Sequence, residues 1–325
     1  MQALAFDRFG DPDVLRIVEL PDPATPPGHV QLEMAAIGVN FADIYRRQGR
    51  YPLAGPAPHI AGYEGAGRVV SVGPDVREFM VGDRVGFADT PFANATRVLV
   101  PVDRAIPLPD DVGFDVAAAL LLQGLTAQYL SEDSFRIGSG QHVLVHAAAG
   151  GVGQALTRLA AHRGAHVLAL ASSQAKRVIA QACGAAHVLD PAGDWPEEVR
   201  RLTDGGADVA YDSVGTTLAA SLSAVRPHGV VALFGMAGGA PPPIAATDLL
   251  FGSRSIVGAD LWDHLVDREA RRDRAARLFA AWRAGVVPTP SIEAFPLSRG
   301  ADAHRRLEDR AFAGKVLLVP DRPTS

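Results

Sequence analysis

Residues 142–172 constrain the fold of this chain more than any other stretch. They read HVLVHAAAGGVGQALTRLAAHRGAHVLALAS. A short apolar run leads into a cluster of small residues, apolar residues then recur at helical spacing, and a second apolar run follows Gly164. The pattern predicts a strand, a turn, a helix and a second strand, which is the repeating unit of a parallel sheet with crossover helices.

The small residues of this turn indicate a dinucleotide site. A diphosphate needs main chain close enough to touch, and it needs the N–H groups and positive dipole end that a helix start provides. Against the GxGxxG pattern, Ala148 stands at the first glycine, and Gly150 and Gly153 stand at the other two. A tight turn without a nucleotide is the alternative, but the arrival of a second strand within about thirty residues favours the dinucleotide. The expected diphosphate contacts are Ala148, Gly150, Gly151, Val152 and Gly153.

Length and composition bound the class of protein. The 325 residues exceed the usual size of one domain, so we expect two. A net charge of −5 gives no excess of Lys and Arg for a nucleic-acid partner. Cys183 is the single cysteine, which excludes a disulfide within the chain and a zinc site of several thiolates. Without a signal-like start or a run of about 18 apolar residues, we expect a cytoplasmic protein and no membrane partner.

The order of elements predicts an α/β protein with a second, β-rich part. Short Val-, Ile- and Leu-rich runs punctuated by Gly and Pro fill the first hundred residues and indicate a hairpin-rich, partly barrelled domain. A buried helix is predicted within residues 110–133, and strands then alternate with helices. The Arg-rich helix at 266–284 is expected to present a solvated face. The last strand, at 314–320, is expected to return to the first domain.

Six motifs in order resemble those of one family. They are NFADIYRRQGRYP at 40–52, AGYEGAGRVVSVG at 61–73, VGDRV at 81–85, LLLQGLTAQYL at 120–130, VHAAAGGVGQ at 145–154 and YDSVG at 211–215. The chain resembles the zinc-independent, zeta-crystallin-like quinone oxidoreductases of the medium-chain dehydrogenase/reductase superfamily. The resemblance implies a Rossmann doubly wound parallel sheet inserted into a GroES-like domain. The implied bounds are 1–121 for the first part of the GroES-like substrate domain, 122–258 for the Rossmann domain and 259–325 for the return.

The residues at the zinc positions of the superfamily predict that no metal is bound. Zinc-dependent members are expected to carry a Cys near the position of Asn40 and a His within a GHE triplet, where this chain has Gly62, Tyr63 and Glu64. His59 lies close in sequence, but a lone His without ligand partners is more often a surface or hydrogen-bonded residue. Without a Lewis acid, oxidation of simple alcohols becomes a less favoured reaction.

The segment after the second strand of the dinucleotide unit favours NADPH. An NAD site usually places a carboxylate there for the ribose 2′-hydroxyl, but residues 171–176 read ASSQAK. Ser172, Ser173 and Lys176 suit a 2′-phosphate, and the lysine matches one with that role in the family. The alternative is a serine that caps the next helix beside a solvated lysine. Pro191 stands where relatives often have a tyrosine near the phosphate.

The resemblance implies the remaining site residues. Asn40, Tyr45 and Tyr51 are the expected catalytic residues, with Asn40 as a hydrogen-bond partner of the acceptor oxygen and a tyrosine as proton donor or stacking surface. The alternative for either tyrosine is half-buried packing. Asp43 and Glu64 are expected to be structural partners of Arg46, Arg47 or main chain. The further expected cofactor contacts are Gln123, Thr126, Phe234 and Lys315.

The sequence thus predicts an NADPH-dependent reductase of quinones that uses no metal. A reductase of α,β-unsaturated carbonyls needs the same cofactor and a similar pocket, and it is the first alternative. A protein that binds NADPH without useful turnover, in a crystallin-like or regulatory role, is an alternative of another class. A homodimer joined at the edge of the Rossmann sheet is implied by the resemblance.

Overall fold

The computed structural model describes residues 1–309 and 311–321. These residues form two compact units. The first comprises residues 1–122, 265–279, 289–309 and 311–321, and the second comprises residues 123–264 and 280–288. The units differ from the domain bounds predicted from the sequence at residue 122 and in segments 259–264 and 280–288.

The elements alternate in the order expected of an α/β chain with a β-rich start. The strands are β1 (Gln2–Phe6), β2 (Arg16–Glu19), β3 (His29–Val39), β4 (His59–Ile60), β5 (Glu64–Val72), β6 (Arg84–Phe87), β7 (Arg97–Pro101), β8 (Ile106–Pro107), β9 (His142–Val145), β10 (His166–Leu170), β11 (His187–Leu189), β12 (Ala207–Asp212), β13 (Val225–Leu233), β14 (Ser255–Gly258), β15 (Ile292–Pro296) and β16 (Lys315–Val319). The helices are α1 (Phe41–Arg47), α2 (Phe114–Tyr129), α3 (Gly151–His162), α4 (Gln174–Ala182), α5 (Trp195–Leu202), α6 (Leu218–Ala224), α7 (Ala246–Leu250), α8 (Arg268–Arg283) and α9 (Gly300–Glu308).

The first unit is built on a mostly antiparallel sheet. Its strands follow the order β15-β16-β3-β5-β6-β8, β7 pairs with β3, and a smaller sheet has the order β2-β1-β4. The side chains of Leu4, Phe6, Ile37 and Phe87 are fully buried in its apolar core. The C-terminal strand β16 pairs antiparallel with β3, with Leu317 opposite Gly38. The predicted return of the last strand to the β-rich part of the chain is therefore confirmed.

The second unit is a parallel sheet with helices between its strands. The order is β11-β10-β9-β12-β13-β14, and each neighbouring pair is parallel. This is the doubly wound order, in which successive strands are added outward on one side of β9 and then, from β12, on the other side. The change of side lies between β9 and β12, so their carboxyl ends border the crevice where such folds bind ligands. The predicted α/β fold class, a Rossmann sheet beside a GroES-like β-rich part, is confirmed.

Two helices refine the sequence prediction. Helix α2 is buried over residues 117–121, as predicted, and continues as a π-helix at Leu130–Ser134. Helix α8 presents the expected solvated face, and it also has a buried face that the sequence did not predict. Arg271 on the buried face is 5% exposed and donates to Asp89 at 2.7 Å. The two side chains form a buried ion pair between α8 and the segment after β6. Among the described residues, no helix is both long enough and apolar enough to cross a membrane.

Candidate active site

The turn from β9 into α3 has the backbone that a diphosphate requires. Ala147 takes the positive φ of the turn, at 46°, so Ala148 is tolerated where the glycine pattern has its first glycine. A Cβ at Gly153 would lie 2.4 Å from the carbonyl oxygen of Ala147, so this glycine lets the helix pack on the turn. A Cβ at Gly150 would meet the same oxygen at 3.2 Å. The fold therefore requires Gly153 strongly and Gly150 only weakly.

Gln123 borders the start of α3. A Cβ at Gly151 would lie 1.8 Å from Oε1 of Gln123, so the amide lies directly over the first turn of the helix. The same Oε1 is buried and has no hydrogen-bond partner among the described residues. Thr126 lies three residues further along α2, on the same face of that helix, and is 7% exposed. An unsatisfied amide beside a small-residue helix start fits a bound dinucleotide.

A buried polar network joins the two strand ends that flank the crevice. The hydroxyl of Ser221 donates to Oδ2 of Asp212 at 2.7 Å and lies 3.0 Å from Nε2 of His146. Burial alone would raise the pKa of Asp212, but His146 and the Ser221 hydroxyl keep that pKa below its usual value. Oδ1 of Asp212 accepts the N–H groups of Val214 and Gly215. This network fixes the turn after β12, which carries the YDSVG motif.

The predicted 2′-phosphate residues lie at the carboxyl end of β10. Ser172 and Ser173 are exposed, and Oγ of Ser173 caps α4 by accepting the N–H of Lys176 at 3.3 Å. The capping alternative thus holds for Ser173, and a capping serine can still border an anion. Phe234 follows β13 and is half-buried. Contact of Ser172, Ser173, Lys176 and Phe234 with the cofactor stays a prediction.

The structure brings a carboxylate to this strand end that the sequence prediction missed. Leu189 of β11 is paired with Leu170 of β10, so Asp190 lies beside Ala171. Its Oδ2 is 2.6 Å from Nη2 of Arg177. The prediction that this strand end has no carboxylate was made from the residues that follow β10 in sequence. Asp190 instead follows the neighbouring strand, β11.

A buried ion pair organises the predicted catalytic end of the first unit. Nζ of Lys315 is 2.6 Å from Oε2 of Glu64 and donates to Oδ1 of Asn40 at 2.8 Å. Nδ2 of Asn40 donates to the same Oε2 at 2.9 Å. Oε1 of Glu64 accepts the main-chain N–H of Leu122 at 2.7 Å. Lys315 and Glu64 are fully buried, so each charge is compensated by the other and by these hydrogen bonds.

This network changes the partners expected for Glu64 and Asn40. The ion-pair partner of Glu64 is Lys315 rather than Arg46 or Arg47, and Arg47 pairs with Glu308 at 2.7 Å. The main-chain partner is as expected. Nδ2 of Asn40 donates to Glu64 and, at 3.4 Å, to the carbonyl of Gly38. Donation from Asn40 to an acceptor oxygen therefore requires one of these bonds to break.

Aromatic rings surround a guanidinium near this network. The rings of Tyr45 and Tyr51 meet edge to face with centroids 5.1 Å apart. Cζ of Arg46 lies 3.6 Å from the ring centroid of Tyr63 and 5.6 Å from that of Tyr51. We call these four residues the aromatic cluster. Its guanidinium is attracted to the ring faces of Tyr51 and Tyr63, and its tyrosine rings are flat.

Asp43 is the titratable group of α1 that burial perturbs most clearly. It is 1% exposed, and its Oδ2 accepts the N–H of Asn40 at 2.9 Å. Burial raises the pKa of Asp43 from 3.8 to about 6, against the opposing charge of Arg46. The carboxyl is therefore poised to change protonation state below neutral pH.

Asp43→Asn is expected to gain stability relative to the parent chain as pH rises. A carboxyl whose folded pKa lies above its unfolded pKa contributes full stability below about pH 4 and loses it as pH rises from about 4 through about 6. The asparagine keeps an acceptor for the N–H of Asn40 but does not ionise. The difference in free energy of unfolding, variant minus parent, should rise by about 2.4 kcal/mol between pH 4 and pH 7. Urea unfolding across this range measures it, and a constant difference would contradict the account.

Comparisons with known proteins agree with this architecture. Residues 26–130 match the family model of the alcohol dehydrogenase GroES-like domain, and residues 151–280 match that of the zinc-binding dehydrogenase. A 2-haloacrylate reductase from Burkholderia sp is 37% identical over 98% of this chain and 99% of its own. Quinone oxidoreductase 1 of Escherichia coli is 34% identical over 98% of this chain and 99% of its own.

Two solved structures extend the comparison. The quinone oxidoreductase of Pseudomonas syringae pv. Tomato has a TM-score of 0.95 at 35% identity, covering 98% of this chain and 99% of the other. The Escherichia coli quinone oxidoreductase complexed with NADPH has a TM-score of 0.94 at 33% identity, covering 98% and 100%.

The fold and the dinucleotide turn define a medium-chain dehydrogenase/reductase. The chain belongs to the quinone oxidoreductase branch of that superfamily. Within residues 1–309 and 311–321, no group of three His, Cys, Asp or Glu side chains is arranged to hold a metal ion. At the positions where zinc-dependent members are expected to have Cys and His, this chain has Asn40 and Tyr63. The cation that meets Glu64 here is the ammonium of Lys315.

Proposed function

We propose that this protein is an NADPH-dependent quinone oxidoreductase that works without a metal ion. The observation that carries the proposal is the turn at residues 147–153. Gly150 there is only weakly required by the fold, so a ligand that must approach the backbone accounts for it better. The quinone oxidoreductases among the relatives, one of them solved with NADPH, support the same cofactor and acceptor class.

The residues that would hold the dinucleotide divide by the part they contact. The N–H groups at the start of α3 suit the diphosphate, and Ser172, Ser173 and Lys176 suit the 2′-phosphate. Gln123 and Thr126 suit the polar edge of the nicotinamide, and Phe234 supplies an apolar wall. When bound, NADPH supplies a hydride from its nicotinamide ring.

The remaining predicted residues orient the acceptor and manage its proton. Tyr45 and Tyr51 give a planar acceptor a stacking surface, and a tyrosine hydroxyl or solvent supplies the proton that the reduced acceptor needs. Lys315 is fully buried, so we propose that it acts through Asn40 and Glu64. Lys315 fixes the amide of Asn40 and keeps the charge of Glu64 paired. The main contributions of these residues to the reaction are therefore to orient the acceptor and to exclude water.

A reductase of α,β-unsaturated carbonyls or acids is the second candidate. The 37%-identical 2-haloacrylate reductase favours it. Such acceptors take the hydride at the β-carbon, and the acids among them carry a carboxylate. The guanidinium of Arg46 is 2% exposed and lies 4.0 Å from the carboxylate of Asp43, so the second candidate rests on the relative.

An acceptor panel tests the proposal. We expect NADPH absorbance to fall with 9,10-phenanthrenequinone after treatment with EDTA, because the proposed reaction needs no metal. Faster turnover of 1-octen-3-one or 2-chloroacrylate would instead favour the second candidate. Tight binding of NADPH with negligible oxidation across the panel would contradict both and favour a role without turnover.

We also propose that the protein forms a homodimer through the edge strand β14. This strand ends the sheet of the second unit and pairs only with β13 in the described chain. Leu250 and Phe251, just before it, are 69% and 72% exposed, as expected of residues that another chain covers. Light scattering should give twice the chain mass for the parent and the chain mass for Phe251→Asp. A monomeric parent would contradict the proposal. The cytoplasmic location stays a prediction.

A further inference from the structure

Arg177 and Asp190 form an exposed ion pair at the strand end where the 2′-phosphate residues lie. Nη2 of Arg177 is 2.6 Å from Oδ2 of Asp190, and the two side chains are 32% and 49% exposed. Nε of Arg177 donates to the carbonyl of Ala171, the residue that follows β10, at 3.3 Å. These contacts hold the guanidinium beside Ser172 and leave the N–H groups of Nη1 for a ligand.

Asp190 has its own fixed position. Its Oδ1 accepts the N–H of Ala192 at 3.0 Å, and its Oδ2 faces Arg177. The N–H of Ala192, together with Arg177, keeps the pKa of Asp190 below its usual value, so the carboxylate is charged at neutral pH. A guanidinium and a carboxylate thus lie side by side at this strand end. The guanidinium attracts a phosphate, and the carboxylate repels it.

This arrangement differs from what the sequence predicts for the phosphate site. Pro191 stands at the position where a tyrosine is expected, so that contact is missing. Arg177 is one residue beyond Lys176 on the first turn of α4 and adds a second cation to the same strand end. An arginine can bind a phosphate with two parallel hydrogen bonds, which a lysine cannot do.

We propose that Arg177 is a specificity-determining ligand of the 2′-phosphate, and that Asp190 holds it in place while lowering the preference for NADPH. The inference rests on the proposed function, because it concerns the same cofactor. When a 2′-phosphate is present, Nη1 of Arg177 donates to it while Nη2 keeps its contact with Asp190. When the cofactor has a 2′-hydroxyl instead, Asp190 is the group that can accept its hydrogen bond.

Calorimetric titration of three variants with NADPH and NADH tests this inference. Arg177→Gln should weaken NADPH by about tenfold, the usual worth of one charge-assisted hydrogen bond, and change NADH by less than about twofold. Asp190→Asn keeps the acceptor for the N–H of Ala192 but removes the competing charge. It should tighten NADPH by about three- to tenfold. Arg226→Gln is the matched control. Arg226 and Asp208, 44% and 13% exposed, form a pair at 2.7 Å at the amino ends of β12 and β13, whereas the 2′-phosphate residues follow the carboxyl end of β10.

The opposite signs of the two effects distinguish a ligand from a structural pair. If Arg177 and Asp190 only stabilise the loop, both variants should change both affinities alike, and that result would overturn the inference. An unchanged ratio of NADPH to NADH affinity in Arg177→Gln would overturn it as well. A parent protein that binds neither cofactor would overturn the proposed function itself, which separates the two failures.

Discussion

Replacing Lys315 by methionine is expected to lower the free energy of unfolding by about 3–5 kcal/mol. The substitution keeps most of the side-chain volume but leaves the carboxylate of Glu64 buried without its cation. It also removes the hydrogen bond from Nζ to Oδ1 of Asn40. Urea unfolding followed by circular dichroism at pH 7 measures the loss.

The double variant Lys315→Met with Glu64→Gln supplies the control. Removal of both charges eliminates the unpaired ion, and the glutamine oxygen still accepts the N–H of Leu122. We expect it to recover at least about half of the lost stability, because replacing a whole buried pair is far less costly than breaking it. A single variant within about 1 kcal/mol of the parent would contradict the geometry of this network.

Gly153→Val is expected to weaken NADPH binding by about 100-fold, which corresponds to about 2.7 kcal/mol. Its Cβ would overlap the carbonyl oxygen of Ala147 at 2.4 Å, so α3 must move away from the turn. The N–H groups at the helix start then no longer converge on the diphosphate. Fluorescence titration with NADPH measures the affinity, and the same variant should also unfold at lower urea concentration.

Gly150→Ala separates the demand of the ligand from that of the fold. The nearest non-adjacent atom to its Cβ is the Ala147 oxygen at 3.2 Å, so we expect stability to change by less than about 1 kcal/mol. Affinity for NADPH should still fall by about tenfold, because the methyl group keeps the diphosphate from the backbone. Unchanged affinity in this variant would mean that Gly150 serves only the turn.

Local patterns predicted most of the fold correctly. The strand, turn, helix and strand of residues 142–172 appear as β9, α3 and β10, because the apolar spacing of a buried βαβ unit is visible within thirty residues of sequence. β15 and α9 were missed. β15 is at the edge of its sheet, has Pro290 and Pro296 around it and contains no fully buried side chain, so it lacks the alternation by which strands are predicted.

The site was less predictable because its key contacts join distant segments. Lys315 and Glu64 are 251 residues apart, and only the pairing of β16 with β3 brings them together. Asp190 reaches Arg177 through the pairing of β11 with β10. No periodicity or spacing in the sequence encodes such contacts. Lys315 does stand out in the sequence, because it is one of only two lysines.

Calorimetric titration of the EDTA-treated parent protein with NADPH and with NADH tests the central claim most directly. The account predicts one saturable site per chain for NADPH, with tighter binding than NADH because cations at the end of β10 face the 2′-phosphate. Equal affinity for the two cofactors, or no saturable binding of NADPH, would contradict it.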